Sequence, residues 1–265
     1  MRPVLKRLYY FMADHIELWS GQRDPLIPPK RMLHPYEGDF KKIGEEYLRY
    51  FVETADLKRN ERVLDVGCGI GRVAVALTKY LGKEGRYEGF DIVPEWVNWC
   101  IKKISPKYAN FRFQLSDVFN SRYNQNGRWK ASEYRFPYEN DFFDFVFLTS
   151  VFTHMLPEDM ENYFSEIARV LKRDGRCFIS FFLSNAESLQ LMNDGKCALD
   201  FKYEFGDYRS IDPNSPEMAI CYNEPFVLGL YGKYGLLNKP SVLYGSWCGR
   251  SKFYSYQDII VTSKG

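Results

Sequence analysis

Three glycines carry the strongest chemical signal in the chain. Val63-Leu64-Asp65-Val66-Gly67-Cys68-Gly69-Ile70-Gly71-Arg72 sets a G-x-G-x-G run directly after an apolar segment and before a helical one. A backbone that turns this sharply and approaches a ligand closely needs residues without a Cβ, and the helix behind it offers unpaired N–H groups to an anionic or polar ligand. An acidic residue, Asp65, stands two positions before the first glycine. Asp91 closes the next apolar segment, 20 residues after Gly71, where a carboxylate can accept from two neighbouring hydroxyls at once. Ser116-Asp117-Val118 and then Thr149-Ser150 follow the third and fourth apolar segments. A lone glycine triplet could be a plain tight turn, and Asp91 or Asp117 could merely cap a helix. Four such stations at successive segment ends predict a ligand crevice.

The elements that must hold these stations follow from periodicity. Arg62–Val66, Tyr87–Phe90, Phe111–Leu115, Phe143–Leu148 and Cys177–Leu183 predict strands. Between them, Gly71–Leu81, Pro94 to about Ser105 and Pro157–Leu171 predict helices. Before them, Phe40, Ile43, Tyr47, Leu48, Phe51 and Val52 form one apolar helical stripe. Strand and helix alternate throughout residues 60–183, which calls for an α/β fold with a parallel sheet covered on both faces. Ser184–Glu224 has no sustained periodicity and reads as an insertion. Phe226–Tyr234 reads as a helix, and Ser241–Tyr244 with Asp258–Val261 as two closing strands.

The glycine loop resembles motif I of the class I S-adenosylmethionine-dependent methyltransferases, D/E-x-G-x-G-x-G. The resemblance is strong over residues 40–183 and weaker over the last forty. It implies a Rossmann-like fold, a mostly parallel seven-stranded sheet with a C-terminal antiparallel hairpin and inserted substrate segments, and S-adenosyl-L-methionine as cofactor. It assigns Asp91 to the ribose and Asp65, Gly67, Cys68, Gly69, Gly71 and Arg72 to the loop around the cofactor, with Cys68 acting through its amide. Ile92, Ser116, Asp117 and Val118 fall near the base. Thr149 and Ser150 fall near the methionine end, and Phe40 is placed beside the cofactor. The tail, Tyr244-Gly245-Ser246-Trp247-Cys248-Gly249-Arg250 and Tyr256-Gln257-Asp258-Ile259-Ile260-Val261, resembles bacterial methyltransferases associated with surface glycans and sugars.

Methyl transfer is an in-line displacement, and a hydroxyl acceptor benefits from a base where a neutral amine does not. Of three histidines, His154 alone follows the fourth strand, at the edge where open α/β sheets bind ligands. It is the predicted catalytic base, weighed against a histidine that only shapes the pocket or caps the next helix. The insertion Phe119–Pro137 carries Arg122, Arg128, Lys130 and Arg135 against Glu133, interleaved with Tyr123, Trp129 and Tyr134. Rings stack on pyranose faces and guanidinium groups fork oxygen anions, so Arg122, Tyr123, Arg128, Trp129 and Tyr134 are the predicted acceptor-binding residues, unless the segment is a solvated surface loop.

Composition bounds the rest. The 265 residues are 45% hydrophobic and 17% aromatic, with 36 Lys+Arg against 34 Asp+Glu and a net charge of +2. That is a globular chain, too balanced in charge to coat a nucleic-acid backbone. Six cysteines without a C-x-x-C pair or a histidine cluster predict no metal site and fit reduced thiols in a cytoplasmic protein. No segment reads as an export signal or membrane span. Residues 1–39 are basic and read as an N-terminal arm or lid over the methyltransferase domain 40–265. In the arm Leu5, Leu8, Tyr9, Met12 and Ile16 can share a helical face, which would pack over the cleft or against another subunit in a homo-oligomer. A weak peripheral contact with a membrane bearing a lipid-linked glycan is the alternative. His15 and His34, in the same arm, read as structural or exposed.

The function expected is O-methylation of a sugar or glycan-precursor hydroxyl. The alternatives are a small-molecule N-methyltransferase and a cofactor-binding module without turnover. The position after the fourth strand reads Leu148-Thr149-Ser150-Val151 and lacks the Asn/Asp-Pro-Pro-aromatic motif of amino-methylating nucleic-acid enzymes. The glycine spacing departs from the G-x-G-x-x-G of nicotinamide oxidoreductases.

Overall fold

The computed structural model describes Met12, Asp14, residues 24–33 and residues 38–265. The expectations for Leu5, Leu8, Tyr9, His15, Ile16 and His34 fall outside the described residues. Within them the chain runs α1 (Lys30–Leu33), α2 (Phe40–Ala55), β1 (Arg62–Val66), α3 (Arg72–Leu77), β2 (Arg86–Asp91), α4 (Pro94–Lys103), β3 (Phe111–Leu115), β4 (Phe143–Leu148), α5 (Pro157–Val170) and β5 (Leu171–Phe181). It continues with β6 (Leu183–Ser184), α6 (Ala186–Asn193), β7 (Tyr203–Glu204), β8 (Tyr208–Ser210), β9 (Ile220–Asn223), α7 (Glu224–Lys233), β10 (Asn238–Leu243) and β11 (Asp258–Ser263).

The main sheet has seven strands in the order β10-β11-β5-β4-β1-β2-β3. β1, β2, β3, β4 and β5 are parallel, and β11 runs against both β5 and β10. Each inner strand splits its side chains between two cores, as period-2 geometry demands. Leu64, Val66, Val146, Leu148 and Ile179 pack on one face with Phe152, Phe164 and Ile167. Val63, Phe145, Phe147 and Phe178 pack on the other with Phe51 and Leu77. α2 begins where the Asp39 carboxylate accepts from the Lys41 and Lys42 N–H groups at 3.0 Å each, the N-cap arrangement that satisfies otherwise orphaned donors.

Two sequence expectations need correction here. β5 starts at Leu171 rather than Cys177, and its polar opening Lys172-Arg173-Asp174-Gly175 carries no strand signature. The segment 184–224 is not irregular: it folds as α6 and a second sheet, β6-β9-β8-β7. Strands of two to four residues are too short to declare a period. Among the described residues, no helix is long and apolar enough to cross a membrane.

Candidate active site

β1 lies where the strand order reverses, with β2 on one side and β4 on the other. A cavity of about 760 Å³ opens there, at the carboxyl edge of the sheet. Gly67, Gly69 and Gly71 all have left-handed φ, at 81°, 53° and 77°. The Gly67 and Cys68 N–H groups donate to the Phe90 carbonyl at 2.9 and 3.0 Å, tying the loop after β1 to the end of β2. A Cβ on Gly67 would stand 2.5 Å from Val151 Cγ2. Gly71 does not line the cavity. A Cβ there would meet Ile104 Cδ1 at 2.8 Å and Cys100 Sγ at 2.9 Å, so this glycine serves helix packing.

Asp91 lines the cavity and organises its rim. Its Oδ2 accepts from the Gly69 N–H at 2.8 Å and its Oδ1 from the Val93 N–H at 2.9 Å. Burial pushes the carboxyl up to about 6, against backbone hydrogen bonds from Val93, Gly69 and Ile92. Asp65 is more extreme. Its Oδ2 accepts from Tyr87 Oη–H at 2.6 Å, while its Oδ1 is buried with no partner. Burial, opposed by the Tyr87 hydroxyl and helped by Asp91, pushes this carboxyl up to about 8. An orphaned carboxylate oxygen in a cavity wall costs stability unless a ligand donor or cation meets it. The Cys68 thiol is buried and lifted well above its ordinary value by burial, so it carries no thiolate chemistry.

Arg72, Ile92, Val118, Thr149 and Ser150 also line the cavity, as does His154. Ser150 has φ 59°, and its N–H donates to Ser180 Oγ at 2.8 Å. The hydroxyls of Ser150 and Ser180 both donate to Gln257 Oε1, at 3.0 and 2.7 Å. His154 Nδ1 lies 2.9 Å from the Glu217 carbonyl oxygen, which can only accept, so Nδ1 carries the proton. Nε2 is then the lone-pair nitrogen of a ring on the cavity wall. Burial, with the Arg122 charge, holds this imidazole below its ordinary value, outweighing the pull of the Glu217 and Met218 backbone and of the Glu217 charge.

Other predicted site residues lie elsewhere. Ser116 is buried with its hydroxyl 2.8 Å from Tyr134 Oη, and neither residue lines the cavity. Asp117 is exposed, accepting from the Arg128 N–H at 3.2 Å. Phe40 packs into the core under α2, and Gly38 and Ile43 reach the cavity instead. Of the predicted acceptor residues only Tyr123 lines it. Arg122 lies over the Tyr123 ring at 5.2 Å and Arg128 over Trp129 at 5.1 Å, both guanidiniums outside the cavity wall. Arg122 Nη1 also reaches Met218 Sδ at 3.9 Å, so the charge of both arginines sits outside the cavity wall.

Three groups of lining residues were not singled out by the sequence. Glu46, Tyr47 and Tyr50 come from one face of α2, at helical spacing. Asp159 and Tyr163 come from the first two turns of α5. Ser255, Tyr256 and Gln257 arrive because β11 is antiparallel: Asp258 pairs with Phe181, so the start of β11 sits at the carboxyl edge of its neighbours. Asp258 locks that approach. Its buried carboxylate accepts from the Gly245 N–H (2.7 Å), the Leu183 N–H (2.8 Å), Trp247 Nε1–H (2.6 Å) and Arg250 Nη1–H (3.0 Å).

A family profile described as Methyltransferase domain matches residues 57–220. The uncharacterized methyltransferase YcgJ of Bacillus subtilis is 30% identical over 133 residues, 50% of this chain and 45% of that protein. The chain thus spans less than half the length of that curated relative. The PH0226 protein of Pyrococcus horikoshii superposes with a TM-score of 0.58 at 16% identity, covering 87% of this chain and 93% of the other. The 1,6-didemethyltoxoflavin-N1-methyltransferase of Burkholderia thailandensis, solved with 1,6-didemethyltoxoflavin and S-adenosylhomocysteine, superposes with a TM-score of 0.52 at 17% identity, over 100% of this chain and 91% of that one. At these identities the structural likeness is one of fold.

Proposed function

The chain belongs to the Methyltransferase domain family, and from that premise we propose that its cavity holds S-adenosylmethionine and directs O-methylation of an uncharged ring-bearing acceptor, a sugar or glycan precursor. The residues fit the cofactor at two independent points. The left-handed Gly67–Gly69 turn presents bare backbone to the cavity wall, and the orphaned Asp65 Oδ1 offers an acceptor for an ammonium group. Asp91 has acceptor capacity left for ribose hydroxyls, with Ile92 and Val118 as apolar neighbours. Bound there, the cofactor supplies an electrophilic methyl on a sulfonium and leaves as a neutral thioether.

The hydrogen bond from His154 Nδ1–H to the Glu217 carbonyl carries the O-methyl reading. It leaves a neutral imidazole with Nε2 free to take the proton that an acceptor hydroxyl must lose. Tyr123 stands between Trp96 and His154, with ring centroids 6.0 and 6.1 Å away, a set of faces suited to a sugar ring. With Arg122 and Arg128 outside the wall, phosphorylated acceptors lose their support. The same wall favours one second reading. Glu46 and Asp159 are carboxylates, which suit a basic nitrogen acceptor and hence N-methylation.

Incubation with methyl-labelled cofactor and a panel of uncharged sugars, oligosaccharides, nucleotide sugars and amines tests the reading. Label on a hydroxyl is the expected result. Transfer to amines alone rejects O-methylation, and cofactor binding without transfer to any acceptor rejects turnover.

A further inference from the structure

Glu217 sits in a 3-10 turn, Pro216–Met218, in the segment 184–224, far from every motif in the sequence. Its two polar ends grip different parts of the acceptor wall. The carbonyl accepts from His154 Nδ1–H at 2.9 Å. The carboxylate accepts from the Ser121 hydroxyl at 2.5 Å and stands 3.4 Å from Asn120 Nδ2. Asn120 in turn accepts the Arg122 and Tyr123 N–H groups on its Oδ1, at 3.0 Å each, which sets the turn that brings the Tyr123 ring edge-on to His154.

We propose that Glu217 is a positioning residue: its carboxylate clasps the 119–137 insertion to the 184–224 insertion, and that clasp holds its own carbonyl where it fixes His154 as the Nδ1–H tautomer. The three segments are distant in sequence, with Glu217 separated by 96 residues from Ser121 and by 63 from His154; Arg122 Nη1 on Met218 Sδ, Tyr222 Oη–H on the Met155 carbonyl and the Tyr123–His154 ring contact also join them, but none of these fixes the Glu217 carboxylate. A backbone carbonyl in a short turn selects a tautomer only if the turn is held in place: Ser210 Oγ–H on the Pro216 carbonyl (2.9 Å) and the Met218 N–H on the Ser215 carbonyl (3.0 Å) tie it to its own insertion, and the Glu217 carboxylate ties it to the other. The charged groups around the ring are Arg122 and Glu217 from the two insertions, which push its protonation in opposite directions. Asp159, at the start of α5, lies within electrostatic reach of Glu217. The site of the ring proton is therefore a cleaner signature of the clasp than the ring's charge. The catalytic consequence rests on His154 being the base; the tautomer does not.

Two-bond 1H–15N correlations of the imidazoles in the ligand-free, 15N-labelled full chain at pH 7.5 read the tautomer directly. The chain has three histidines, and His154 is assigned by the signals that vanish in His154→Asn. The wild type is expected to show the Nδ1–H pattern. Glu217→Ala and Ser121→Ala are expected to lose it, towards Nε2–H or a rapidly exchanging mixture, and Glu217→Gln to regain it, because an amide oxygen also accepts from Ser121. With a hydroxyl acceptor, kcat in Glu217→Ala should fall at least tenfold while affinity for S-adenosylhomocysteine stays within twofold. Should Glu217→Ala fail to fold, Ser121→Ala, which removes one hydroxyl, carries the test. Retention of the Nδ1–H pattern in the variant that folds, or an Nε2–H pattern in the wild type, overturns the proposal. A tautomer that moves with no loss of transfer supports the clasp and sinks the base; an unmoved tautomer alongside a dead His154→Asn does the reverse.

Discussion

Replacing Asp65 by Asn should make the ligand-free protein more stable and its cofactor binding weaker. The Asp65 carboxyl is buried, has one oxygen on Tyr87 Oη at 2.6 Å and one on nothing, and is pushed from 3.8 up to about 8 by burial. The folded pKa lies above the unfolded one, so the folded state retains a proton that the unfolded chain has released. The stability this contributes is complete below pH 3.8 and is lost as pH rises through about 8. At pH 7 three units separate the solution from the unfolded value, and at ~1.4 kcal/mol per unit the cost is bounded at about 4 kcal/mol. Asn keeps an oxygen for Tyr87 and never ionises, so Asp65→Asn should recover part of that cost. The rise in Tm should be several degrees, at roughly 2–4 °C per kcal/mol for a chain of this size. It should grow from pH 5 to pH 8 and vanish near pH 4. Loss of an acceptor that ionises when the ammonium group of the ligand meets it should weaken S-adenosylhomocysteine binding by about 1.5–3 kcal/mol at pH 8 or above. Scanning calorimetry across pH, with and without S-adenosylhomocysteine, reads both effects. A variant less stable than wild type at pH 8, with unchanged affinity, would refute the reasoning.

Gly67→Ala places a side chain at φ 81° and 2.5 Å from Val151 Cγ2; about 1–3 kcal/mol of stability should be lost in denaturant melts, together with cofactor affinity. Asp91→Ala removes the acceptor that also holds the Gly69 and Val93 N–H groups. It should weaken S-adenosylhomocysteine binding by about 1.5–3 kcal/mol in calorimetry, and unchanged affinity would remove Asp91 from the ribose role. His154→Asn should abolish transfer to hydroxyls and leave cofactor affinity intact. Because burial lowers the His154 pKa from 6.5, the wild-type rate should stay flat through pH 6.5 and fall only on further acidification, whereas a profile breaking above pH 7 would speak against this base.

The five parallel strands were legible because each contains a buried run or an alternation bounded by turn residues; Gly67, Gly69, Asp91, Thr149 and Ser150 reach the cavity wall because each falls at a strand end, whereas Ser116 and Asp117, also at a strand end, lie off it. The stretch Arg122 to Tyr134 misled because composition does not say which way a side chain turns: Arg122 and Arg128 lie on their own neighbouring rings, and Trp129 is exposed. Tyr47 was visible only as one more member of an apolar stripe, although Ile43, Glu46, Tyr47 and Tyr50 together mark the face that reaches the cavity. Gln257 was visible only as part of a tail, not as a residue of the cavity, and Glu217 had no local signal. The first depends on the reversed direction of β11 and the second on a contact across 63 residues, both of which exist only once the chain has folded.

The central claim is that the crevice beside β1 and β2 is shaped for an adenosyl sulfonium. Calorimetric titration of the full chain with S-adenosylhomocysteine and, separately, with NADH tests it most directly. One S-adenosylhomocysteine bound per chain and no heat from NADH is the predicted result; saturable NADH binding with none of the thioether would contradict it.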